Sequence, residues 1–374
     1  MIATYDAVVV GAGIVGAACA CELARAGMRT AIVEAEIIGG GATAAGMGHI
    51  VVMDDSPAQL ALTRYAQALW NELASQLPAS VEYDRCGTLW VASDEEEMRE
   101  VHRKQALYTS VDISTEVLDS QALAEAEPNL RRPLPGALLV PFDAVLYPPC
   151  AAVYLVECAK LAGAVLYLGK PVTGAERGRV VLSDGTELSS AHIIHATGAG
   201  ATRLMPHLPV RKRKGHLVIT DRYPDFVRHQ LVELGYLKSA HSIASDSVAF
   251  NVQPRRTGQL LIGSSRQYDD TGPWVDQKTV SAMLARAFDF LPPLKHLSSI
   301  RVWTGFRAAT PDKLPLIGPT EDPSVFLATG HEGLGITTSL ATAHLLADHL
   351  LGRKSAIPLQ PYLPERFARE VAYA

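Results

Sequence analysis

The chain has 374 residues, enough for two domains or one large α/β unit, with the 48% hydrophobic and 20% charged composition of a soluble globular protein. A formal charge of −5 excludes a general nucleic-acid or anionic-membrane binder. Five cysteines (Cys19, Cys21, Cys86, Cys150, Cys158) form no CxxC pair, and an odd number without a secretion signal points to a reduced, cytoplasmic setting.

Tyr5–Val10 reads as an apolar strand that runs into Gly11-Ala-Gly13-Ile14-Val15-Gly16, with an alanine-rich helix to about Gly27. A second strand, Arg29–Val33, delivers Glu34 and Ala35. This is the dinucleotide-binding βαβ fingerprint. Gly11 permits the tight turn, Gly13 lets backbone approach a pyrophosphate, and Gly16 lets the helix pack close to the strand. The helix N-terminus offers unpaired N–H groups to phosphate. Glu34 stands at the offset where a carboxylate accepts hydrogen bonds from a ribose diol and disfavours a 2′-phosphate. The stretch from Tyr5 to Leu23 is apolar, but it has no basic leading segment, contains three glycines and ends near Glu22 and Arg25. No signal peptide or transmembrane segment is expected from it.

A glycine-rich loop at 39–49 follows. Helical spacing of Leu60, Leu62, Ala66, Leu69 and Leu73 predicts a helix over about 57–76. Cys86–Ala92 reads as a strand, and Asp94-Glu-Glu-Glu97 as the solvated acidic start of a helix. Cys19 and Cys21 fall in the first helix as small buried apolar groups. After a turn-rich passage at 141–149 come a helix at about 150–162 and strands at 164–168, 179–182 and 187–188. Ser183-Asp-Gly-Thr186 supplies a hairpin turn. A strand at 191–195 ends in Ala196-Thr197-Gly198. Strands dominate from about 211 to 263, a helix spans about 276–290, and Arg301–Thr304 is again a strand. The strand Val325–Thr329 leads through Gly330-His331-Glu332-Gly333-Leu334-Gly335 into a helix over about 336–351, with Gly352 past its end.

The fingerprint, the Ala196–Gly198 turn, the Gly330–Thr337 turn and the loop Thr43-Ala44-Ala-Gly46-Met47-Gly48-His49 together resemble the FAD-dependent D-amino-acid oxidase superfamily. The resemblance covers almost the whole chain and is greatest to glycine oxidase, sarcosine oxidase and flavin subunits of heteromeric amino-acid dehydrogenases. It implies a Rossmann-type, glutathione-reductase-like FAD domain (residues 1–84, 150–210 and 302–374) and an antiparallel-sheet substrate domain (85–149 and 211–301). The implied cofactor set is Gly11, Gly13, Ile14, Val15, Gly16, Glu34, Ala35, Thr43, Ala44, Gly46, Met47, Gly48, His49, Val172, Ala196, Thr197, Gly198, Gly305, Arg307, Gly330, His331, Glu332, Gly333, Leu334, Gly335, Ile336 and Thr337, with no metal.

Trp303-Thr-Gly-Phe-Arg307-Ala-Ala-Thr-Pro-Asp312-Lys-Leu-Pro-Leu-Ile-Gly318 is the most specific match. In glycine-oxidase-like enzymes this segment carries the arginine that clamps the substrate carboxylate, which places Arg307 there. A guanidinium is suited to the task as a permanently charged, bidentate fork. Sarcosine oxidases with covalent flavin carry a cysteine two residues earlier; here Gly305 stands there, which implies noncovalent FAD. His49 matches a flavin-adjacent histidine, and it joins Arg307 as a catalytic candidate. Tyr236, Phe250, Tyr268 and Trp274 read either as core or as lining of a substrate cavity.

The Arg307 and Gly330 segments look especially like β subunits of bacterial opine oxidases and D-hydroxyproline dehydrogenases. That likeness implies partner subunits, one binding a second flavin or nucleotide and one small iron–sulfur protein, and peripheral membrane association through them. Arg211-Lys-Arg-Lys214 reads either as a solvated basic strand end or as a contact to FMN at a subunit interface. The expected activity is oxidation of a small, carboxylate-bearing amino acid, such as an opine or D-hydroxyproline, by hydride transfer to FAD, with electrons passed to partner cofactors. A homomeric, oxygen-using glycine, sarcosine or D-amino-acid oxidase is the alternative.

Overall fold

The computed structural model describes residues 2–235, 246–268 and 270–367. Two eight-stranded sheets organise the chain. In the first, strands Leu316–Pro319, Val325–Thr329, Glu187–His195, Ala3–Val10, Thr30–Glu34 and Val165–Leu168 lie side by side in that order. All neighbours are parallel except the Leu316–Pro319 edge. Val8, Val9 and Val10 are all buried, as a strand covered on both faces requires. One face carries the helices Ile14–Arg25, Pro148–Leu161 and Gly335–Leu350. The other carries the hairpin Val172–Glu176/Arg179–Leu182, whose Val180 and Leu182 pack on Val8, Ala31 and Ile193. This is the three-layer Rossmann-type arrangement of a dinucleotide-binding domain.

The second sheet runs Ser299–Ala309, Arg211–Thr220, Leu260–Arg266, Ser247–Pro254, Gln230–Glu233, Thr88–Ala92, Gly136–Val140 and Glu116–Asp119. It is antiparallel except where Gln230–Glu233 meets Thr88–Ala92 in parallel. Those two strands come from distant stretches of chain, so no hairpin constrains their direction. Helix Gln277–Phe290 covers one face through Val280, Met283, Ala287 and Phe290. Phe250 stacks on Phe290 with ring centroids 4.4 Å apart. The other face looks toward the first sheet's loops and walls the cavity described below.

Three local expectations are revised. Residues 187–188 and 191–195 belong to one nine-residue strand, whose first half pairs with the hairpin and whose whole length pairs with Ala3–Val10. The strand expected at 301–304 extends over Ser299–Ala309 and pairs with Arg211–Thr220 along its length. The acidic run at 94–97 is not simply solvated. The Asp94 carboxylate accepts from Glu97 N at 2.8 Å, and Glu97 Oε2 accepts from Ser93 N at 2.7 Å. This reciprocal cap buries Glu97. Cys19 and Cys21 are buried in the first helix as expected. Among the described residues no helix is long and apolar enough to cross a membrane.

Candidate functional site

Parallel pairing places the C-terminal ends of four strands, at Val10, Glu34, His195 and Thr329, on one edge of the first sheet. The segments that follow them therefore converge there: 11–16, 34–49, 196–198 and 330–337. Val172 opens the hairpin on the same edge, two residues after Lys170 N donates to Glu34 O at 3.0 Å. A crevice at strand C-terminal ends is where doubly wound folds take their ligands.

The first turn has no room for side chains. Gly11 has φ +103°, and a Cβ there would lie 2.7 Å from Ala196 O; a Cβ on Gly16 would collide with Gly11 O. Helix Ile14–Arg25 begins at Gly13 with no side-chain cap and no acidic residue in its first turn. Its positive pole is thus left for an external anion, and Val15 lies partly exposed beside it. Ile14 N donates to Thr43 Oγ1 at 3.0 Å, which ties the loop to the helix. Glu34 is held by Ala12 N (2.7 Å to Oε2) and Glu36 N (2.8 Å to Oε1), its carboxylate beside the turn. Ala35 and Ala44 are exposed. Gly198 has φ +52°, and Thr197 Oγ1 is buried without a protein partner. These features fit the adenine-dinucleotide half of FAD.

Around the flavin-side segments, close packing again demands glycine. A Cβ on Gly46 would stand 2.7 Å from Ile336 Cδ1, one on Gly48 would collide with Leu146 O, and one on Gly305 with Ala45 Cβ. Met47 is buried and its carbonyl accepts from Gln253 Nε2 at 2.6 Å. Gly330 (φ +75°) is buried against Thr310. His331 and Thr337 turn inward. His331 Nε2 meets Thr342 Oγ1 at 2.9 Å, and burial pushes its pKa down to about 3. Thr337 Oγ1 donates to His49 O at 2.8 Å, fastening the loop to the helix Gly335–Leu350.

Next to these segments lies a cavity of about 90 Å³. His49, Gly333 and Leu334 line it from the first sheet's side, and Arg307, Arg213, Arg266, Asn251, Gln230 and Trp90 from the second. Arg307 Nη1 donates to Ser265 O at 3.0 Å. His49 is neutral at ordinary pH: burial above all, and the Arg307 charge in addition, hold its pKa down to about 4, against a smaller upward effect of Gln253. Its Nε2 is buried with no protein partner, as are Gln230 Oε1, Asn251 Oδ1 and Trp90 Nε1. Buried polar groups of this kind require a ligand or water.

The tetrapeptide Arg211–Lys214 is only half solvated. Arg213 and Lys214 are buried. Arg213 pairs with Glu332 and donates to Tyr268 OH at 2.9 Å; Lys214 Nζ donates to Asp270 Oδ2 at 2.6 Å. Glu332 itself sits at φ +54° in the turn before Gly333. Of the aromatic candidates, Phe250 is core, Trp274 is 77% exposed, Tyr268 supports Arg213, and Tyr236 lies outside the described residues. Arg213, Arg266, Gln230, Asn251 and Trp90 were not expected in the site. Alternation along 211–220 separates Arg213 from Lys214, but only sheet order brings the five together.

The fold and crevice define a two-domain flavoprotein. Residues 6–349 match the family described as FAD dependent oxidoreductase, and the chain belongs to that family. Among curated relatives, hydrogen cyanide synthase subunit HcnC of Pseudomonas aeruginosa is 28% identical over 99% of this chain and 98% of its own. Glycine oxidase of Geobacillus kaustophilus is 29% identical over 96% of each. The crystal structure of a glycine oxidase from that organism superposes with a TM-score of 0.87 at 26% identity, covering 97% of this chain and 99% of the other. FAD is thus the cofactor, and the chain is an FAD-dependent oxidoreductase.

Proposed function

We propose that this protein oxidises the C–N bond of a small amino acid whose carboxylate is held by Arg307, and that its activity is that of an oxygen-using oxidase of the glycine, sarcosine or D-amino-acid type. The observation that carries the reading is position: a buried-edge guanidinium lines the same cavity as His49 and the Gly333–Leu334 turn. Similarity to glycine oxidases along the full chain supports the substrate class. FAD, held noncovalently by the fingerprint, Glu34, Thr43–His49, Thr197–Gly198 and the 330–337 turn, supplies a two-electron acceptor for hydride leaving the substrate α-carbon. Arg307 fixes the carboxylate and so aims that carbon. His49, neutral at working pH, offers its buried Nε2 to substrate or flavin. The substrate amine must be neutral to expel hydride, so the rate rises with pH. The domain division proposed at about residues 84, 150 and 210 follows the two sheets, but the boundary expected between 301 and 302 does not: it falls inside the strand Ser299–Ala309 of the second sheet, which carries Arg307.

Arg307→Ala tests the assignment. The Michaelis constant should rise roughly ten- to a thousandfold while FAD stays bound, the size expected for losing a charge-assisted, bidentate pair. An unchanged KM would remove Arg307 from the role.

A second reading is a dehydrogenase subunit of the opine-oxidase or D-hydroxyproline-dehydrogenase kind, with flavin-binding and iron–sulfur partners. Its support is the full-length similarity to a protein named as a subunit. Its interfacial FMN would rest on Arg211 and Lys212, since Arg213 and Lys214 are spent on Glu332 and Asp270. Mixing dithionite-reduced protein with air separates the readings: rapid reoxidation with peroxide favours the oxidase, slow reoxidation the subunit.

A further inference from the structure

His216 lies on the strand Arg211–Thr220 and is buried, yet it does not line the cavity. Alternation along the strand puts it on one face with Val218, in the core beneath helix Gln277–Phe290. Arg213 and Gly215 lie on the other face, toward the cavity.

Two hydrogen bonds fix where His216 carries its proton. The Asp276 N–H donates to Nε2 at 3.1 Å, so Nε2 presents a lone pair. A neutral imidazole then holds its proton on Nδ1. That proton is donated to Ser265 Oγ, 2.9 Å away. Ser265 Oγ also accepts from His216 N at 2.9 Å. Burial above all lowers the pKa of His216; Lys214 and Arg307 add to this, and Asp276 and Asp270 oppose it. The neutral form is therefore the one present at ordinary pH.

Ser265 connects this histidine to the cavity. Its side chain is held by His216, and its carbonyl accepts from Arg307 Nη1 at 3.0 Å. This is one of the contacts that hold Arg307. The ladder is irregular at Ser265. Toward Arg211–Thr220, Val218 faces Ile262 and Lys214 faces Gln267, four residues along one strand against five along the other. Toward Ser247–Pro254 the register shifts as well, between Val248 and Asn251. A bulge of this kind interrupts the repeating ladder and re-aims the chain. The two bonds from His216 therefore bear on where the Ser265 carbonyl stands.

We propose that His216 is a positioning residue: its Nδ1–H holds Ser265, and through the Ser265 carbonyl it aims the Arg307 guanidinium at the substrate carboxylate. The inference rests on the role of Arg307 in the amine-oxidation reading above. The competing role is service to the helix start alone, where Asp276 N meets Nε2 and Asp276 Oδ1 caps Lys278 N at 3.0 Å. Two substitutions separate the roles. An asparagine amide can place its NH2 where Nδ1 stands and keep the bond to Ser265. A glutamine amide can place its oxygen where Nε2 stands and keep the bond from Asp276 N.

The FAD-loaded protein is mixed without air with glycine, N-methylglycine or D-alanine. Flavin bleaching gives a half-saturating concentration and a limiting rate for the best of the three. His216→Gln should raise the half-saturating concentration roughly five- to thirtyfold, the scale of one lost buried hydrogen bond. His216→Asn should recover most of that loss. In an Arg307→Ala background, His216→Gln should add less than about twofold, because the group it positions is gone. Equal losses in the two His216 variants, a loss in His216→Asn alone, or full additivity with Arg307→Ala would overturn the proposal.

Ser265→Ala covers a His216 variant that does not fold. It removes only the hydroxyl, and the same rise is expected, with FAD absorbance as the check on folding. A half-saturating concentration unchanged in Ser265→Ala would overturn the proposal and leave the oxidation reading standing. An Arg307→Ala protein that matches the unmodified one, or failure of all three amino acids to bleach the flavin, would sink both.

Discussion

The Arg307 guanidinium lies over Gly215: a Cβ built on that glycine would stand 2.5 Å from Nη1 and 3.0 Å from Cζ. Gly215 pairs with Gly305 across the two strands, two positions from Arg213 and Arg307 on the same face. The arginine therefore folds back over a floor without side chains and reaches Ser265 O. On its other side a Cβ at Gly333 would come within 3.4 Å of Nε. The position of the charge is set by what these glycines lack.

Gly215→Ala should displace the guanidinium without touching the dinucleotide crevice. The expected outcome is a roughly ten- to a hundredfold fall in kcat/KM for amino-acid substrates, the scale of a misplacement near 1 Å. FAD content, read from absorbance, should match the unmodified protein. Loss of FAD instead would mean that this floor also supports the flavin.

Glu34 makes two hydrogen bonds to backbone N–H groups and still faces the crevice. Glu34→Ala should weaken FAD binding about tenfold or more, as expected for losing a charged acceptor toward ribose hydroxyls. Reconstitution of apoprotein by FAD titration measures it. Tight binding in the variant would show that the carboxylate serves only the turn.

Asp143 is wholly buried and accepts from Gln67 Nε2 at 2.6 Å and Val52 N at 3.2 Å. Burial outweighs those bonds and pushes its pKa up to about 7 from 3.8. A carboxyl raised in the folded state binds its proton more tightly there than when unfolded, so stability falls as pH climbs from about 4 through 7. Asp143→Asn removes that dependence. The variant's stability relative to the unmodified protein should grow across this window by up to the order of 4 kcal/mol and level off above pH 8. Denaturant melts at pH 5 and pH 8 provide the check; parallel curves would contradict it.

His331 has the opposite sign. Its pKa is held down to about 3 by burial, so the folded state refuses a proton that the unfolded state accepts below 6.5. Stability is then present above pH 6.5 and drains away as pH falls toward 3, by roughly 2–3 kcal/mol at pH 4.5. His331→Gln, which keeps a partner for Thr342, should flatten this acid limb in thermal melts. A variant as acid-sensitive as the parent would place the cause elsewhere, with the buried His49 the next candidate.

Local features of this chain were readable before any fold was known. The strand, glycines, helix and Glu34 of the first βαβ unit lie within 34 residues, and each glycine's task follows from backbone sterics at its own position. Helix 277–290 and the Ser183–Thr186 turn were legible for the same reason, because hydrophobic period and turn chemistry act between near neighbours. In the acidic start at Asp94, residues 94–96 face solvent and only Glu97 departs from that reading, because composition does not show that it turns back onto Ser93 N. Arg307 stood out through the motif around it, whereas Arg266 and Gln230 had no motif to mark them.

The sequence by itself determined the nucleotide fingerprint, the order of elements and the family resemblance, since these rest on short-range sterics, period and motif. Tertiary structure alone decided that Arg213 turns into the cavity while Lys214 turns away to Asp270, and that Arg213, Arg266 and Arg307 share one face. Strand order and register join residues some forty to ninety positions apart. A single-residue slip would send each of those charges to the opposite face, and no local pattern records which alignment the packed sheet adopts.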